Sequence, residues 1–260
     1  MQPRYGDVAV TLTDYIATVE IQRGPNNFFD TDLIRSLADA FEALDNEASC
    51  RAIVLAAEGK NFCAGANFHN GGAARDLRST ETGNPLYAEA VRLFACRKPI
   101  VGAIQGAAIG GGFGLSLVPD FRVLCPETRF AANFVKLGFH PGFGLTYTLP
   151  RLVGWQHANL IFYTGRRING EEAFAWGLGE VFTLVENVRA AAVELAKEIA
   201  ESAPLAVQST RATMRAGLAA AVKSATDHEF KEQHWLQQTE DHKEGLRAVA
   251  ERRPGNFVGR

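Results

Sequence analysis

Long apolar runs are missing from this chain. No window of its 260 residues approaches ~18 uninterrupted apolar residues, so no transmembrane helix is expected. The opening MQPRYGDVAVTLTDY has no apolar stretch of signal type and already carries Asp7 and Asp14, so no secretory signal is expected either. CxxC pairs are absent. The four cysteines, Cys50, Cys63, Cys96 and Cys125, are scattered, which suits reduced structural thiols in a cytoplasmic protein. No Cys/His/Asp cluster has metal-ligand spacing, so no metal is expected. Neither sign of charge dominates. Lys and Arg number 27 against 29 Asp and Glu, a formal net charge of -2 that gives no reason to expect nucleic acid or an anionic membrane as partner. What remains is ordinary globular composition, 47% hydrophobic and 22% charged, in a chain long enough to bury a sizeable core.

The order of elements predicts an α/β fold. VAVTL (8–12) and YIATVEIQ (15–22) read as a hairpin about Thr13-Asp14. Asp30 or Thr31 caps a helix whose Leu33, Ile34, Leu37, Phe41 and Leu44 stand at helical spacing. AIVLA (52–56) is a short buried strand, NFCAGANF a glycine-broken turn, and 86–96 a helix. IVGAI (100–104) leads into a glycine run, and FRVLC (121–125) is the next strand. Asn169 with Glu172 three residues on has the form of a capping box. From about Asn187 to Arg253 the chain reads as helix almost throughout. This change of texture divides the chain near Ala203-Pro204, into a core at 1–203 and a helical region at 204–260 that packs on the core or on another subunit.

The glycine run is AIGGGFGLSL, residues 108–117. No Lys follows Gly114, so it is not a P-loop, and Leu115, Ser116 and Leu117 stand where a dinucleotide fingerprint needs its last glycine. The pattern is strand, glycine turn, then a helix starting near Gly111. Free backbone N–H groups at such a start suit an oxyanion; tight helix–strand packing is the plainer account of the same glycines. A second turn of this kind, NFCAGAN at 61–67, can bring another N–H to the same oxygen.

NFCAGANF, IQGAAIGGGFGLSLVPDFRV, LGFHPGFGLTYTLPRLVG, TGRRINGEEAFAWGLGEVF and EDHKEGLRAVAERRPGNFVGR, in that order, resemble the enoyl-CoA hydratase/isomerase (crotonase) superfamily over about Val8 to Arg260. The resemblance implies a crotonase-like spiral of ββα repeats with a C-terminal helical region that builds a homotrimer or a dimer of trimers. It implies an acyl-CoA thioester as ligand, with coenzyme A as part of the substrate rather than a resident cofactor. Carried over residue by residue, Ala66 and Gly111 supply the two N–H groups that hold the thioester oxygen, and 61–66, including Phe62 and Ala64, runs along the CoA by backbone contacts.

Two residues of the family pattern are different. Where hydratases resembling this chain read GGGxE, Gly114 stands at the glutamate. Where they read FxxPExxLG, this chain has FAANFVKLG, with Asn133 and Phe134 at the Pro-Glu pair. Gly114 and Phe134 cannot activate water or protonate carbon. The Asp that dienoyl isomerases and dehalogenases use falls at Gly142. His140, in LGFHPGFG, is the residue expected to replace them, because imidazole titrates near neutral pH; a structural His beside Pro141 is the alternative. His69 lines the pocket mouth or is solvated, and Asn133 points into the pocket or does not. Asp120 is expected to be structural. His228, His234 and His242 are read as solvated or interfacial, and Phe113, Phe134, Phe139 and Phe143 as crowding an apolar acyl pocket or as ordinary core.

Two functions fit. One is an acyl-CoA enzyme working through a thioester enolate without two-glutamate hydration, by decarboxylation or by hydrolytic C–C cleavage with His140 as base. The other is a catalytically silent acyl-CoA binder or structural partner.

Overall fold

The computed structural model describes residues 1–67 and 84–260. His69 lies outside the described residues. The hairpin forms as expected: β2 (Val8–Thr13) pairs antiparallel with β3 (Ile16–Ile21). Asp14 and Tyr15, the two residues between them, both have positive φ (49° and 68°), which matches the twist a two-residue hairpin turn needs. β1 (Arg4–Tyr5) extends its edge. From β3 the sheet continues in parallel through β4 (Ala52–Ala57), β5 (Ile100–Ile104), β7 (Phe121–Leu124) and β10 (Val181–Phe182), giving seven strands in the order β1-β2-β3-β4-β5-β7-β10.

The repeat is ββα. After β5 only Gln105 and Gly106 intervene before β6 (Ala107–Ile109), and α3 (Gly111–Ser116) follows. After β7 come β8 (Arg129–Ala131), a 3-10 turn (Asn133–Leu137) and α4 (Leu145–Thr164). The second strands of successive units stack on one another: Cys63 bridges Ala108, β6 pairs with β8, and β8 pairs with β9 (Arg167–Asn169). The chain thus winds as a spiral, one unit above the next.

Both faces of the parallel sheet are covered. Ile53, Leu55 and Ala57 face the main core with α1 (Thr31–Asp45), whose buried stripe includes the five residues expected and whose N-cap is Asp30, accepting from the Leu33 N–H at 2.8 Å. Ala52, Val54 and Ala56 face the opposite way, onto Val188, Ala192, Ala196 and Ala200 of α6 (Val188–Ala200). Alternate strand residues therefore meet different helices, which is why β4 reads as a continuous apolar run. Asn169 caps α5 (Gly170–Ala175) by accepting from Glu172 N–H, but the Glu172 carboxylate pairs with Arg166, so only half of the capping box is made.

Four further helices complete the fold. α2 (Pro85–Phe94) starts at Asn84 and packs on α1. α7 (Pro204–Met214), α8 (Leu218–Leu236) and α9 (Glu240–Ala250) close the chain. α8 packs against α2 and α4, and α9 against the 133–137 turn, so this region covers the core of its own chain. Asp120 accepts from Arg211 (2.9 Å), Arg215 (2.7 Å) and the Ile100 N–H (2.8 Å), tying α7 to β5; its role is structural, as expected. Among the described residues no helix is long and apolar enough to cross a membrane.

Candidate active site

The site is assembled where β6 ends. β6 runs parallel to Cys63, with Cys63 N–H donating to Ala107 and Ile109 N–H to Cys63, which brings the turn at 61–67 beside the glycine run. Phe29 N–H donates to Gly65 and pairs with Ala66 on the other side. Both turns are thereby pinned by backbone bonds. Gly110 ends β6 with φ 56° and its N–H on Ala131, and the helix starts at Gly111. Phe113 and Gly114 N–H groups already turn back to Gly110. Among the described residues no acceptor is recorded for the N–H of Ala66 or of Gly111. These two donors are the ones expected from the resemblance.

The other expected residues of this segment contribute less. Phe62 is wholly buried and its N–H is taken by Gln105; the Ala64 N–H is taken by Asn26. A cleft of about 340 Å³ opens among Arg23, Asn26, Phe28, Phe29, Asp30 and Asn67, next along the chain from Ala66, and the Phe29 ring lies against Gly111. A Cβ built on Gly111 would be 2.3 Å from that ring, so only glycine fits there. Burial pushes the neighbouring Cys63 thiol up to about 12, which leaves it an inert wall rather than a nucleophile. A second cleft, of about 380 Å³, lies among Glu194, Lys197 and Glu198 of α6 and shares no residue with the first.

The opposite wall is the loop 138–146. Phe143, with φ 63°, is wholly enclosed and sets its ring edge-on to Phe29, with centroids 5.9 Å apart. It fills the space above Gly114: a Cβ there would come within 2.7 Å of the Phe143 Cβ. Phe134 reaches Gly110, its Cζ lying 3.7 Å from where a Cβ would stand. Of the four phenylalanines expected to crowd the pocket, only these two touch the glycine run. Phe113 stacks on Phe130 in the core at 4.7 Å, and Phe139 stacks on His242 at 5.3 Å. Phe113 sits inside α3, whose residues are all buried, so its ring points into the core. Asn133 opens the 3-10 turn, half-buried, with its Cα beside Gly165.

His140 lies on the α8 side of the same loop, its ring edge-on to His228 at 6.0 Å. Its Nδ1 is 2.8 Å from the Pro141 carbonyl. A carbonyl only accepts, so Nδ1 carries the proton and Nε2 the lone pair. Of the three histidines read as solvated or interfacial, His228 and His234 are exposed, whereas His242 is half-buried, stacks on Phe139 and bonds the Leu137 carbonyl through Nδ1.

Sequence reasoning missed three residues behind this wall. Glu229, on α8, is buried and accepts from Gly144 N–H (2.8 Å), Thr146 N–H (3.0 Å) and the Thr146 hydroxyl (2.6 Å). It caps α4 from another helix, since Gly144 has no side chain to do so. Burial pushes its pKa up, against the pull of those donors. Gln233, one turn on, bonds the Tyr87 hydroxyl at 2.8 Å. The available signal was the helical spacing of Val222, Thr226, Glu229 and Gln233, which marks one buried stripe. Among the described residues no group of three or more metal-ligating side chains comes together.

The geometry has clear relatives. The sequence profile described as enoyl-CoA hydratase/isomerase matches residues 12–260. A crotonyl-CoA hydratase of Syntrophomonas wolfei is 30% identical over 98% of this chain and 99% of its own. A carnitinyl-CoA dehydratase of Proteus mirabilis is 29% identical over 96% and 98%. The crystal structure of an enoyl-CoA hydratase/isomerase from Pseudoalteromonas atlantica superposes with a TM-score of 0.86 at 25% identity, covering 97% of this chain and 100% of that one. The spiral, its C-terminal helices and the match along nearly the whole chain lead to one conclusion: the chain belongs to the enoyl-CoA hydratase/isomerase family and has the crotonase fold.

Proposed function

We propose that the protein is an acyl-CoA enzyme that breaks a C–C bond with the thioester enolate as leaving group. The observation that carries this reading is the pairing of two uncommitted N–H donors, at Ala66 and Gly111, with an apolar wall where the hydratase glutamates would stand. The donors stabilise the oxygen where charge develops, each contributing about 3–4 kcal/mol. Gly114 and Phe134 carry no carboxylate, so addition of water across a double bond by two carboxylates has no agent. Cleavage needs less. From a malonyl-type thioester, the bond to the carboxylate breaks, CO2 leaves, and the electron pair becomes the enolate, which takes a proton from water. From a β-keto thioester, His140 Nε2 accepts a proton from water. The hydroxide adds to the β-carbonyl, and the C–C bond breaks to a carboxylic acid and the same enolate, whose α-carbon takes back the proton held on His140.

The crotonyl-CoA hydratase and carnitinyl-CoA dehydratase among the relatives support the substrate class, and the 340 Å³ cleft at Phe29 and Asn67 supports an extended ligand. The competing reading is a silent acyl-CoA binder, favoured by the same loss of carboxylates. A panel of enoyl, malonyl-type and cyclic β-keto thioesters decides, with wild type and His140→Ala. Release of CO2, or of a free carboxylic acid lost in His140→Ala, supports the enzyme; tight binding with no turnover supports the binder; hydration of the enoyl thioester at a hydratase rate contradicts the reading. As an assembly we propose a homotrimer or dimer of trimers. α7 buries none of its residues in the single chain and exposes Leu205 and Met214. Sedimentation at equilibrium tests it.

A further inference from the structure

The wall that replaces the carboxylates is not held by its own loop. Gly142 has no room for a side chain: a Cβ there would stand 2.1 Å from the Tyr87 hydroxyl and 2.6 Å from Gln233 Nε2. Two side chains from distant helices thus converge on one glycine. The Tyr87 hydroxyl, on α2, lies beside the Phe143 backbone and donates to Gln233 Oε1 at 2.8 Å. Gln233 Nε2, on α8, donates to the carbonyls of His140 (3.0 Å) and Pro141 (3.3 Å). The chain from α2 to α8 therefore runs along four consecutive residues, 140–143, bonding the first two and filling the space at Gly142. The last of them is Phe143, whose positive φ of 63° is costly for a residue with a side chain and needs such support. The Phe143 ring is the part that meets Gly114 and Phe29.

We propose that Tyr87 and Gln233 are positioning residues that set the acyl selectivity of the site by locking the Phe143 ring over Gly114. The inference rests on the acyl-CoA reading above. The latch excludes groups that need the space over Gly114 and admits those that lie flat against Phe29 and Phe143. Tyr87 acts as a neutral phenol, because burial drives its pKa upward. It touches the loop rather than the reacting atoms.

The test uses the intact protein and Kd values for CoA, a short linear acyl-CoA and a bulky ring-bearing acyl-CoA. Tyr87→Phe removes one hydroxyl. It is expected to change the ratio of the two acyl-CoA affinities by about five- to tenfold, the scale of one lost buried hydrogen bond, with CoA affinity unchanged. In a Phe143→Ala background the same substitution is expected to change the ratio no further. Gln233→Glu, which keeps an acceptor for Tyr87 but removes the donors to His140 and Pro141, is expected to shift the ratio the same way and serves if Tyr87→Phe does not fold. Faster amide hydrogen exchange across 140–144 in either variant supports the latch without any ligand. An unchanged ratio, or a shift that persists in full when Phe143 is Ala, overturns the inference. If wild type binds no acyl-CoA, the proposed function fails and the selectivity assignment falls with it. An unchanged ratio in a protein that does bind overturns this inference alone.

Discussion

The two walls of the site are built in different ways. The wall proposed to hold the oxyanion is backbone: Ala66 and Gly111 lie in turns fixed by strand-like bonds among Phe29, Cys63, Gly65 and β6. The facing wall is side chain: the loop that carries Phe143 is held on one side by Gln233 of α8, itself bonded to Tyr87 of α2, and on the other by Glu229 of α8 at Gly144 and Thr146. A backbone wall tolerates changes in the surrounding side chains and keeps its function of stabilising charge. A side-chain wall can be re-cut by single substitutions.

Breaking the backbone wall has the largest expected effect. Gly111→Pro deletes one donor, and proline is accepted at a first helical position. Phe29→Ala must accompany it, because the Phe29 ring abuts Gly111. Relative to Phe29→Ala alone, turnover is expected to fall by about 10²–10³ with CoA affinity kept. Breaking the side-chain wall acts on stability instead. Glu229→Ala leaves three donors of 144–146 without an acceptor, and unfolding in urea is expected to show a loss of about 2–4 kcal/mol.

These expectations also explain what was legible. The hairpin, α1 with its Asp30 cap and the helix start at Gly111 are local patterns, and β4 and β5 show as short apolar runs even though their partners lie far along the chain. The expectation for Ala66 and Gly111 came from the family resemblance, because the bonds that bring their turns together join distant residues. α4 was not legible, because Pro150 and the break at Gly154 disguise it. Glu229 and Gln233 were hidden for another reason: they are polar residues on a charged helix, and only the loop packed on them makes them interior. Phe113 was left between pocket and core because position along the glycine run does not tell which way a helix turns its face; it lies in the core.

Joining the two walls gives smaller effects. Gly114→Ala puts a methyl group 2.7 Å from the Phe143 Cβ and is expected to cost about 1–3 kcal/mol. Phe143→Ala should relieve most of that cost, so the double variant is non-additive in thermal or urea unfolding. The smallest effect concerns pH. Burial raises the folded-state pKa of Glu229 above its ordinary 4.5, so the folded protein holds a proton the unfolded chain releases. Its contribution is fully present below the ordinary value and is lost as pH rises through the raised one. The stability of wild type relative to Glu229→Gln is therefore expected to decline over that window, measured by urea unfolding at a series of pH values.

The most direct test of the central claim is the infrared carbonyl stretch of a 13C-labelled acyl-CoA thioester bound to the protein. Two donors on one oxygen predict a stretch lowered on binding in Phe29→Ala, and lowered less when Gly111→Pro is added. A stretch that does not move on binding, or that moves equally with and without the Gly111 N–H, contradicts the assignment of the glycine run as a thioester oxyanion site.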